Sequence, residues 1–573
     1  MNPTPPASEW LARPPIQSLS VTNRRAFLQR VLGAAAVANA VALPAGLNAS
    51  PEKLPSAQSL ALHRRNRAFH FRSTAALAQK HLPLATHLNN GDEDRYPTRI
   101  GNFSKGLPHN ELGEVDPGAY DQFLAALRSE KPEDFEAIPL GCANPAQQRK
   151  LTNPQAGLAF DLEGVDSHAL AIPPAPAFAS DEAVGEIVEN YWMALCRDVP
   201  FADYATSGAT QAAAADMDAR RDFRGPKSGG HVTTSTLFRG LTPGDLNGPY
   251  LSQFLLLPVP FGANYVEQRM RCIVAGSDFL TSYREWLDCQ RGCKPTHPIT
   301  YDTTRRLIRN GRDLSQWVHI DVLYQAYFHA MLILLTPPDD GDANASGLGV
   351  PFDSGNPYAH SATQDSFATF GGPHIAALMA EVATRALKAV WYQKWFVHCR
   401  LRPEAFAGRI HNHVTGPKTY PISSDLESSS VLAALHDAHG TYLLPMAFPE
   451  GSPLHPAYGA GHATVAGACV TILKAWFDET HVIPNPVLPS ADGLTLIPYV
   501  GPPLTVGGEL NKLASNVAIG RNHAGVHWRS DATESLKLGE AVALSVLRDQ
   551  KACYNESFNG FTVTGFDGST IIV

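Results

Sequence analysis

The chain has 573 residues, 46 Lys and Arg against 54 Asp and Glu, and a formal net charge of −8. A hydrophobic fraction of 44% with 17% charged residues is typical of a protein with a large core, which excludes global disorder and fibrous classes. The acidic balance also disfavours a uniformly basic binder of nucleic acid or membrane surfaces, so any bound anion must be held by locally clustered cations. No apolar run reaches the roughly 18 residues that a membrane span needs, and we expect none.

The beginning of the chain has the pattern of an export signal. Arg24 and Arg25 are followed by Phe27 and Leu28, then by a weakly apolar run and small residues. This pattern resembles a twin-arginine signal. It predicts that residues 1–45 form the signal and that the mature protein is periplasmic or secreted. The alternative is a basic, Ala-rich arm of an intracellular protein.

The composition changes near residue 181. Residues 46–180 are rich in Pro, Gly, Asn and Asp, which predicts an extended, loop-rich N-terminal arm with short helices near 57–80 and 117–129. Residues 181–573 show helical periodicity and are expected to form the catalytic body. Strand-like alternation is confined mainly to 560–573, so the predicted fold class is all-α. Helices are expected over 181–197, 208–221, 262–290, 315–336, 373–398, 460–477, 507–521 and 528–549.

The eight cysteines are even in number, and an exported chain permits disulfides. Cys289 and Cys293 stand closest together in sequence. For Cys399 and Cys469 we expect buried free thiols.

The first stretch with functional chemistry runs from Lys394 to Pro403 and contains Arg402. Lys acts as a point charge, and the planar Arg fork suits tetrahedral oxyanions. On one helix, positions eight apart are separated by about 12 Å along the axis and roughly 80° around it, from which both long side chains can reach one small anion. Pro403 is expected to end that helix at or before Arg402.

The second stretch runs from His455 to Thr464 and leads into an apolar helical run. A helix that starts here places the amides of Ala460 and Gly461 at its positive end, which is a binding site for anions. Gly461 allows the backbone to approach a ligand closely. His462 would lie in the first turn, where it can move a proton to or from the anion.

The third stretch supplies Arg521 and His527 shortly before the last long helix. A neutral His nitrogen is a good ligand for a metal centre or a nucleophile toward phosphorus. The three stretches together predict one site for a tetrahedral oxyanion, built from helix ends. Its members in chain order are Lys394, Arg402, the Gly461 amide, His462, Arg521 and His527.

These motifs resemble a known family. The order Lys-x7-Arg-Pro, Gly-His and Gly-Arg-x5-His is similar to the vanadium-dependent haloperoxidases and to the related type 2 phosphatidic-acid-phosphatase-like acid phosphatases. Four further segments resemble the bromoperoxidase branch of algae and cyanobacteria, so the resemblance extends over roughly residues 60–573. The segments are 89–93, 103–110, 237–245 and 402–406.

The resemblance implies an all-α fold of two packed four-helix bundles and homo-oligomers ranging from dimers to dodecamers. It implies vanadate as cofactor, and as substrates hydrogen peroxide, a halide and a small organic acceptor, with bromide favoured. Vanadate would be held by Lys394, Arg402, the Gly461 amide and Arg521, with His527 as the axial ligand of vanadium.

The resemblance also assigns roles to two further histidines: His462 is the expected acid–base residue, and His455 matches a His near the halide site. One position departs from the pattern, because Ala460 stands where the family has Ser. The missing hydroxyl removes a hydrogen bond to a charged group, worth roughly 1.5–3 kcal/mol, so we expect weaker vanadate binding or shifted reactivity.

Two alternatives remain open from the sequence. The first is an acid phosphatase in which His527 forms a phosphohistidine and His462 protonates the leaving group. The second is a non-catalytic, anion-binding member in which Ala460 marks a lost activity.

Overall fold

The computed structural model describes residues 56–338 and 347–573. The expected signal segment, residues 1–45, lies outside the described residues. Among the described helices, none is long and apolar enough alone to cross a membrane. The bent pair Gly311–Ile320 and Gln325–Leu335 passes a test of length and composition when its two helices are combined.

The described residues are predominantly helical. Their α-helices are α1 (Ala57–Lys80), α2 (Asp92–Arg95), α3 (Pro117–Ser129), α4 (Pro132–Glu136), α5 (Asp181–Leu195), α6 (Gly208–Asp218), α7 (Tyr283–Gln290), α8 (Gly311–Ile320), α9 (Gln325–Leu335), α10 (Gly372–Tyr392), α11 (Pro403–Thr415), α12 (Val431–His439), α13 (Gly461–Trp476), α14 (Val506–His523) and α15 (Arg529–Cys553).

The described residues also contain eight short strands. They are β1 (Val259–Phe261), β2 (Asn264–Val266), β3 (Met270–Ile273), β4 (Tyr301–Arg306), β5 (Val487–Pro489), β6 (Leu496–Pro498), β7 (Thr562–Thr564) and β8 (Thr570–Ile572). They pair antiparallel as four separate two-stranded ribbons, β1 with β2, β3 with β4, β5 with β6 and β7 with β8. The last ribbon confirms the strand pattern that the sequence predicts at the C-terminal end.

The expected helix over 262–290 is wrong for most of its length. Gly262 adopts a positive φ of 60° and turns the chain between β1 and β2, and β3 follows before α7 begins at Tyr283. The expected helix over 315–336 is two helices, α8 and α9, bent by 98°. The chain leaves α8 at Asp321, whose backbone is extended.

The long helix predicted over 373–398 also ends differently. After α10 the chain continues as a π-helical turn, Gln393–His398. This turn ends at Cys399, which has a positive φ of 42°. Pro403 then begins α11, in the first helical turn that suits proline. Lys394 and Arg402 therefore belong to different elements, and the expectation that one helix carries both is wrong.

The hydrophobic core that positions the helix ends of the predicted site is centred on α13. This helix is buried over nearly its whole length and packs against α10, α14 and α15. Its approach to α15 is close: a Cβ built on Gly467 would lie 2.1 Å from the Leu536 carbonyl oxygen, and one on Gly539 would lie 2.0 Å from that of Thr464. Only glycine fits at these contacts, so backbone packing fixes α13 against α15.

The described residues from 71 onward form one compact unit, and the described residues 56–70 belong to another. Within the larger unit, Phe103, Tyr120 and Phe123 from the loop-rich part bury their rings in a cluster with Trp395. Helix α1 has no buried residue over its length.

One disulfide joins distant parts of the larger unit. It links Cys142 to Cys293, so the partner of Cys293 is not its sequence neighbour Cys289. Cys289 is a buried free thiol. Cys399 and Cys469 are also free and buried, as expected.

Candidate active site

Arg402 lies at the centre of the predicted cluster. It occupies the position before α11 and is 1% exposed. One terminal nitrogen donates to the Val526 carbonyl at 2.7 Å and to His527 Nε2 at 3.0 Å. The other lies 2.9 Å from His455 Nδ1, and Nε donates to the His455 carbonyl at 2.9 Å. Arg402 thus brings the second and third sequence stretches together.

Lys394 reaches the same loop from the π-helical turn. Its Nζ donates to the carbonyl oxygens of Pro456 at 2.8 Å and Ala457 at 3.1 Å. The ammonium also lies 5.6 Å from the centre of the Trp391 ring, which in turn packs against the His455 ring at 4.8 Å. Lys394 thus contacts this loop from a π-helical turn and not from the body of α10.

Arg521 is the third buried cation. It lies in the last turn of α14 and donates to the Val318 carbonyl at 2.8 Å, while its Nε has no hydrogen-bond partner among the described residues. Its guanidinium lies 5.8 Å from the centre of the Phe448 ring. An unsatisfied buried donor is costly unless a ligand accepts from it.

The electrostatics of the site favour an anion. Within the described residues, Lys394, Arg402 and Arg521 form no salt bridge with any carboxylate. Burial lowers the pKa of Arg402 to about 9 and that of Arg521 to about 10, and burial with neighbouring cations holds the Lys394 pKa well below its usual range. Burial and the same cations hold the pKa values of His455 and His527 well below normal, so both rings are neutral at pH 7.

The start of α13 provides the predicted helix end. Ala460 is the residue that precedes the helix, and its side chain makes no capping hydrogen bond. Its own N–H donates to Ser535 Oγ at 2.8 Å. Gly461 opens the helix, and a Cβ there would lie 3.2 Å from the Trp391 ring. The amide of Gly461 is therefore at the positive end of a long buried helix.

His462 follows in the first turn of α13, and its ring contacts the carboxylate of Asp321, which is not among the residues predicted from the sequence. Nε2 lies 3.1 Å from Asp321 Oδ1, 141 positions away in sequence. The His462 side chain remains 29% exposed, whereas that of Asp321 is 8% exposed. The Asp321 charge also acts to raise the pKa of Arg521. No local sequence signal connects Asp321 to His462.

His527 also has a carboxylate partner. Its Nδ1 lies 2.8 Å from Asp531 Oδ2, which in addition accepts the Trp528 N–H at 3.1 Å. This contact fixes the proton on Nδ1 and leaves the Nε2 lone pair facing Arg402. Asp531 is not among the residues predicted from the sequence, although its spacing of four residues from His527 is a usable signal.

The set of donors fits vanadate. Three buried cations, a helix-end amide and one imidazole with a free lone pair match a small tetrahedral oxyanion bound through one nitrogen ligand. Among the described residues, no group of three or more His, Cys, Asp or Glu is placed to hold a metal ion in the usual way.

The chain is similar to known proteins over most of its length. A family model described as the VCPO second helical-bundle domain matches residues 374–556. A vanadium-dependent bromoperoxidase of Corallina pilulifera is 38% identical, covering 83% of this chain and 91% of its own length. One of Ascophyllum nodosum is 34% identical, covering 87% and 91%. The homohexameric structure of the second vanadate-dependent bromoperoxidase of Ascophyllum nodosum matches with a TM-score of 0.83 at 30% identity, over 94% of this chain and 95% of that one.

Proposed function

We propose that this chain, which belongs to the vanadium-dependent haloperoxidase family, uses hydrogen peroxide to oxidise a halide to hypohalous acid or an equivalent species. The oxidised halogen then halogenates small organic acceptors. The observation that carries the proposal is the set of three buried cations, without a contacting carboxylate among the described residues, around the neutral His527. Bromide is the favoured halide, because the relatives are named bromoperoxidases and because His455, which the resemblance places near the halide site, lies in this cluster beside Arg402.

Lys394, Arg402, Arg521 and the Gly461 amide would hold the vanadate, with His527 Nε2 as the ligand of vanadium. When bound, vanadate supplies a V(V) centre that activates hydrogen peroxide toward attack by halide without changing its oxidation state. The three cations stabilise the negative charge that develops in that attack, in a buried setting where such interactions are strong.

Two carboxylates orient the two functional histidines. Asp531 accepts the Nδ1 proton of His527 and so keeps Nε2 free to bind. Asp321 accepts from His462 Nε2, which leaves His462 Nδ1 to take up or release a proton. The partial exposure of His462 gives that proton a route to solvent.

The test of this function is the variant His527→Ala, compared with the wild-type protein in two assays. We expect the variant to lose halogenation with peroxide and bromide, because the vanadium ligand is lost. We also expect neither protein to hydrolyse p-nitrophenyl phosphate at a rate comparable to wild-type halogenation. Full halogenation by the variant would contradict the assignment. Phosphate ester hydrolysis without halogenation by the wild type would instead support the acid phosphatase alternative.

We also propose the finer features that the sequence predicts. Residues 1–45 act as a twin-arginine signal, 46–180 as an N-terminal arm and 181–573 as the catalytic domain of two packed four-helix bundles. The mature protein is periplasmic or secreted, which agrees with its Cys142–Cys293 disulfide, since disulfides persist in oxidising compartments. It forms a homo-oligomer, a proposal supported by the homohexameric relative.

A further inference from the structure

A buried ion cluster lies behind His527, on the side away from Arg402. Its centre is Arg400, which is 2% exposed and does not contact any predicted site residue through its guanidinium. One terminal nitrogen donates to Asp531 Oδ1 at 3.1 Å and to Ser530 Oγ at 2.9 Å. The other donates to Glu186 Oε2 at 2.7 Å. This buried cation has no role in the proposed function.

The two oxygens of the Asp531 carboxylate have different partners. Oδ2 accepts from His527 Nδ1 and from the Trp528 amide, whereas Oδ1 accepts from Arg400. A carboxylate bound through both oxygens has a fixed plane. A carboxylate bound through Oδ2 alone can rotate, and the imidazole bonded to it would turn with it.

Arg400 is itself held in one position. Besides its bond to Glu186, its guanidinium lies 4.5 Å from the centre of the Trp528 ring. Its backbone carbonyl accepts from the Ala457 N–H at 3.0 Å, in the loop whose carbonyls bind Lys394. A planar guanidinium fixed on several sides is a rigid template for a carboxylate, which a flexible ammonium is not.

We propose that Arg400 is a positioning residue of the anion site: it fixes the plane of the Asp531 carboxylate and so directs His527 Nε2 at the bound anion. This inference rests on the proposed function, because it takes His527 as the ligand of the anion. It goes beyond that function by assigning a role to a residue that contacts neither the anion nor His527.

The chain offers a matched control in Arg529. It is 3% exposed and pairs with Glu189, on the same two helices, α5 and α15, that supply Glu186 and Asp531. Its third contact is the Arg239 carbonyl at 3.0 Å. Its described partners include neither Asp531 nor His527, so its loss removes a similar buried ion pair without releasing the Asp531 carboxylate.

The experiment measures the dissociation constant for orthovanadate by calorimetric titration of the full apo-protein. The variants are Arg400→Met, Asp531→Asn, their combination and Arg529→Met, with thermal unfolding of each recorded in parallel. We expect Arg400→Met to weaken binding at least tenfold, the range typical for residues that orient a metal ligand. Arg529→Met should lower the unfolding temperature by about as much as Arg400→Met does. Its dissociation constant for orthovanadate should nevertheless stay within about twofold of the wild-type value.

Because Arg400 acts through Asp531, the combined variant should bind orthovanadate no more weakly than Asp531→Asn alone. Unchanged binding in Arg400→Met, an equal loss in Arg529→Met, or losses that multiply in the combination would overturn the inference. Wild-type protein that binds no orthovanadate would overturn the proposed function as well. If Arg400→Met does not fold, Arg400→Lys against Arg529→Lys makes the same comparison, with a several-fold loss expected only in the former.

Discussion

At the scale of single residues, the cations and the carboxylates of the candidate site lie on opposite sides of its histidines. Arg402 contacts His455 and His527 directly, whereas Asp531 and Asp321 each bind a histidine from the far side. Positive charge therefore faces the space shared by the three stretches, and negative charge orients the histidine rings from behind. This arrangement suits an anion, and each carboxylate contact leaves the other nitrogen of that histidine ring free of a carboxylate.

Ala460 offers a direct test of the anion site, because it stands where the family has Ser. We predict that Ala460→Ser tightens orthovanadate binding by about tenfold or more, since a hydrogen bond to a charged group contributes roughly 1.5–3 kcal/mol. Titration of wild-type and variant apo-protein with orthovanadate measures the effect. An unchanged dissociation constant would show that residue 460 does not face the anion.

His398 gives a prediction about pH. It is 4% exposed, both ring nitrogens lack partners among the described residues, and burial, His87 and Arg400 lower its pKa to about 3. The folded protein keeps this ring neutral, while the unfolded chain protonates it below about pH 6.5. Its presence therefore costs no stability above pH 6.5 and up to about 1.4 kcal/mol per pH unit between pH 6.5 and 3.

Replacing this ring by an apolar one removes that dependence. His398→Phe should gain about 2 kcal/mol of unfolding free energy relative to wild type on going from pH 8 to pH 5, as measured by urea unfolding at both values. His360→Gln, an exchange of an exposed histidine, is the control and should show no such gain. The same difference between wild type and His398→Phe at both pH values would contradict the prediction.

The residues of the candidate site that stand in motifs can be predicted from the sequence, whereas the residues proposed to act through them cannot. Lys394, Arg402 and His527 stand in short patterns with a chemical meaning. Asp321 contacts His462 across 141 positions, and Arg400 contacts Asp531 across 131, so no local spacing connects either pair. Only the packing of distant helix ends places them together.

At the scale of elements, glycines let α13 and α15 pack closely, and the N-terminal ends of both helices lie at the candidate site. A Cβ on Gly539 would lie 2.0 Å from the Thr464 carbonyl oxygen and 2.6 Å from the Ala468 nitrogen. We predict that Gly539→Ala lowers the unfolding free energy by about 1–3 kcal/mol, because backbone atoms cannot move aside as a side chain can.

The same change should weaken orthovanadate binding, since α13 carries Gly461 and α15 begins directly after His527. Gly208→Ala is the matched control, because nothing lies within 4 Å of a Cβ there. It should change stability by less than about 1 kcal/mol. Thermal unfolding and orthovanadate titration of both variants measure the two effects; equal behaviour of the variants would refute the role of this contact.

Helices with clear apolar periodicity were predicted well, and irregular ones were not. α5, α13, α14 and α15 lie close to where the sequence places them; the first three are buried on nearly every side, and α15 has a distinct exposed side. The helix predicted for the segment before α7 is wrong because a positive-φ glycine and two short strands interrupt that segment. The π-helical turn at Lys394 leaves no sequence pattern, so the path from Lys394 to Arg402 required the structure.

At the scale of the whole molecule, the Cys142–Cys293 disulfide connects the loop-rich part of the chain to the segment after α7. We predict that reduction, or the pair of changes Cys142→Ser and Cys293→Ser, lowers the unfolding free energy by about 2–4 kcal/mol, because a long loop is released in the unfolded chain. Urea unfolding with and without dithiothreitol measures this. Cys553→Ser, at an exposed free cysteine, should have no effect, and wild type that is indifferent to dithiothreitol would contradict the prediction.

Vanadate binding by this buried cluster of cations and histidines, for the oxidation of halide, is the proposal on which the function depends. Its most direct test is bromination of monochlorodimedone by the purified apo-protein with peroxide and bromide, before and after orthovanadate is added, with phosphate as competitor. We predict no bromination before the addition, rapid bromination after it, and inhibition when phosphate is present first, because both oxyanions need the same cations. Bromination that does not require orthovanadate, or none in its presence, would contradict the claim.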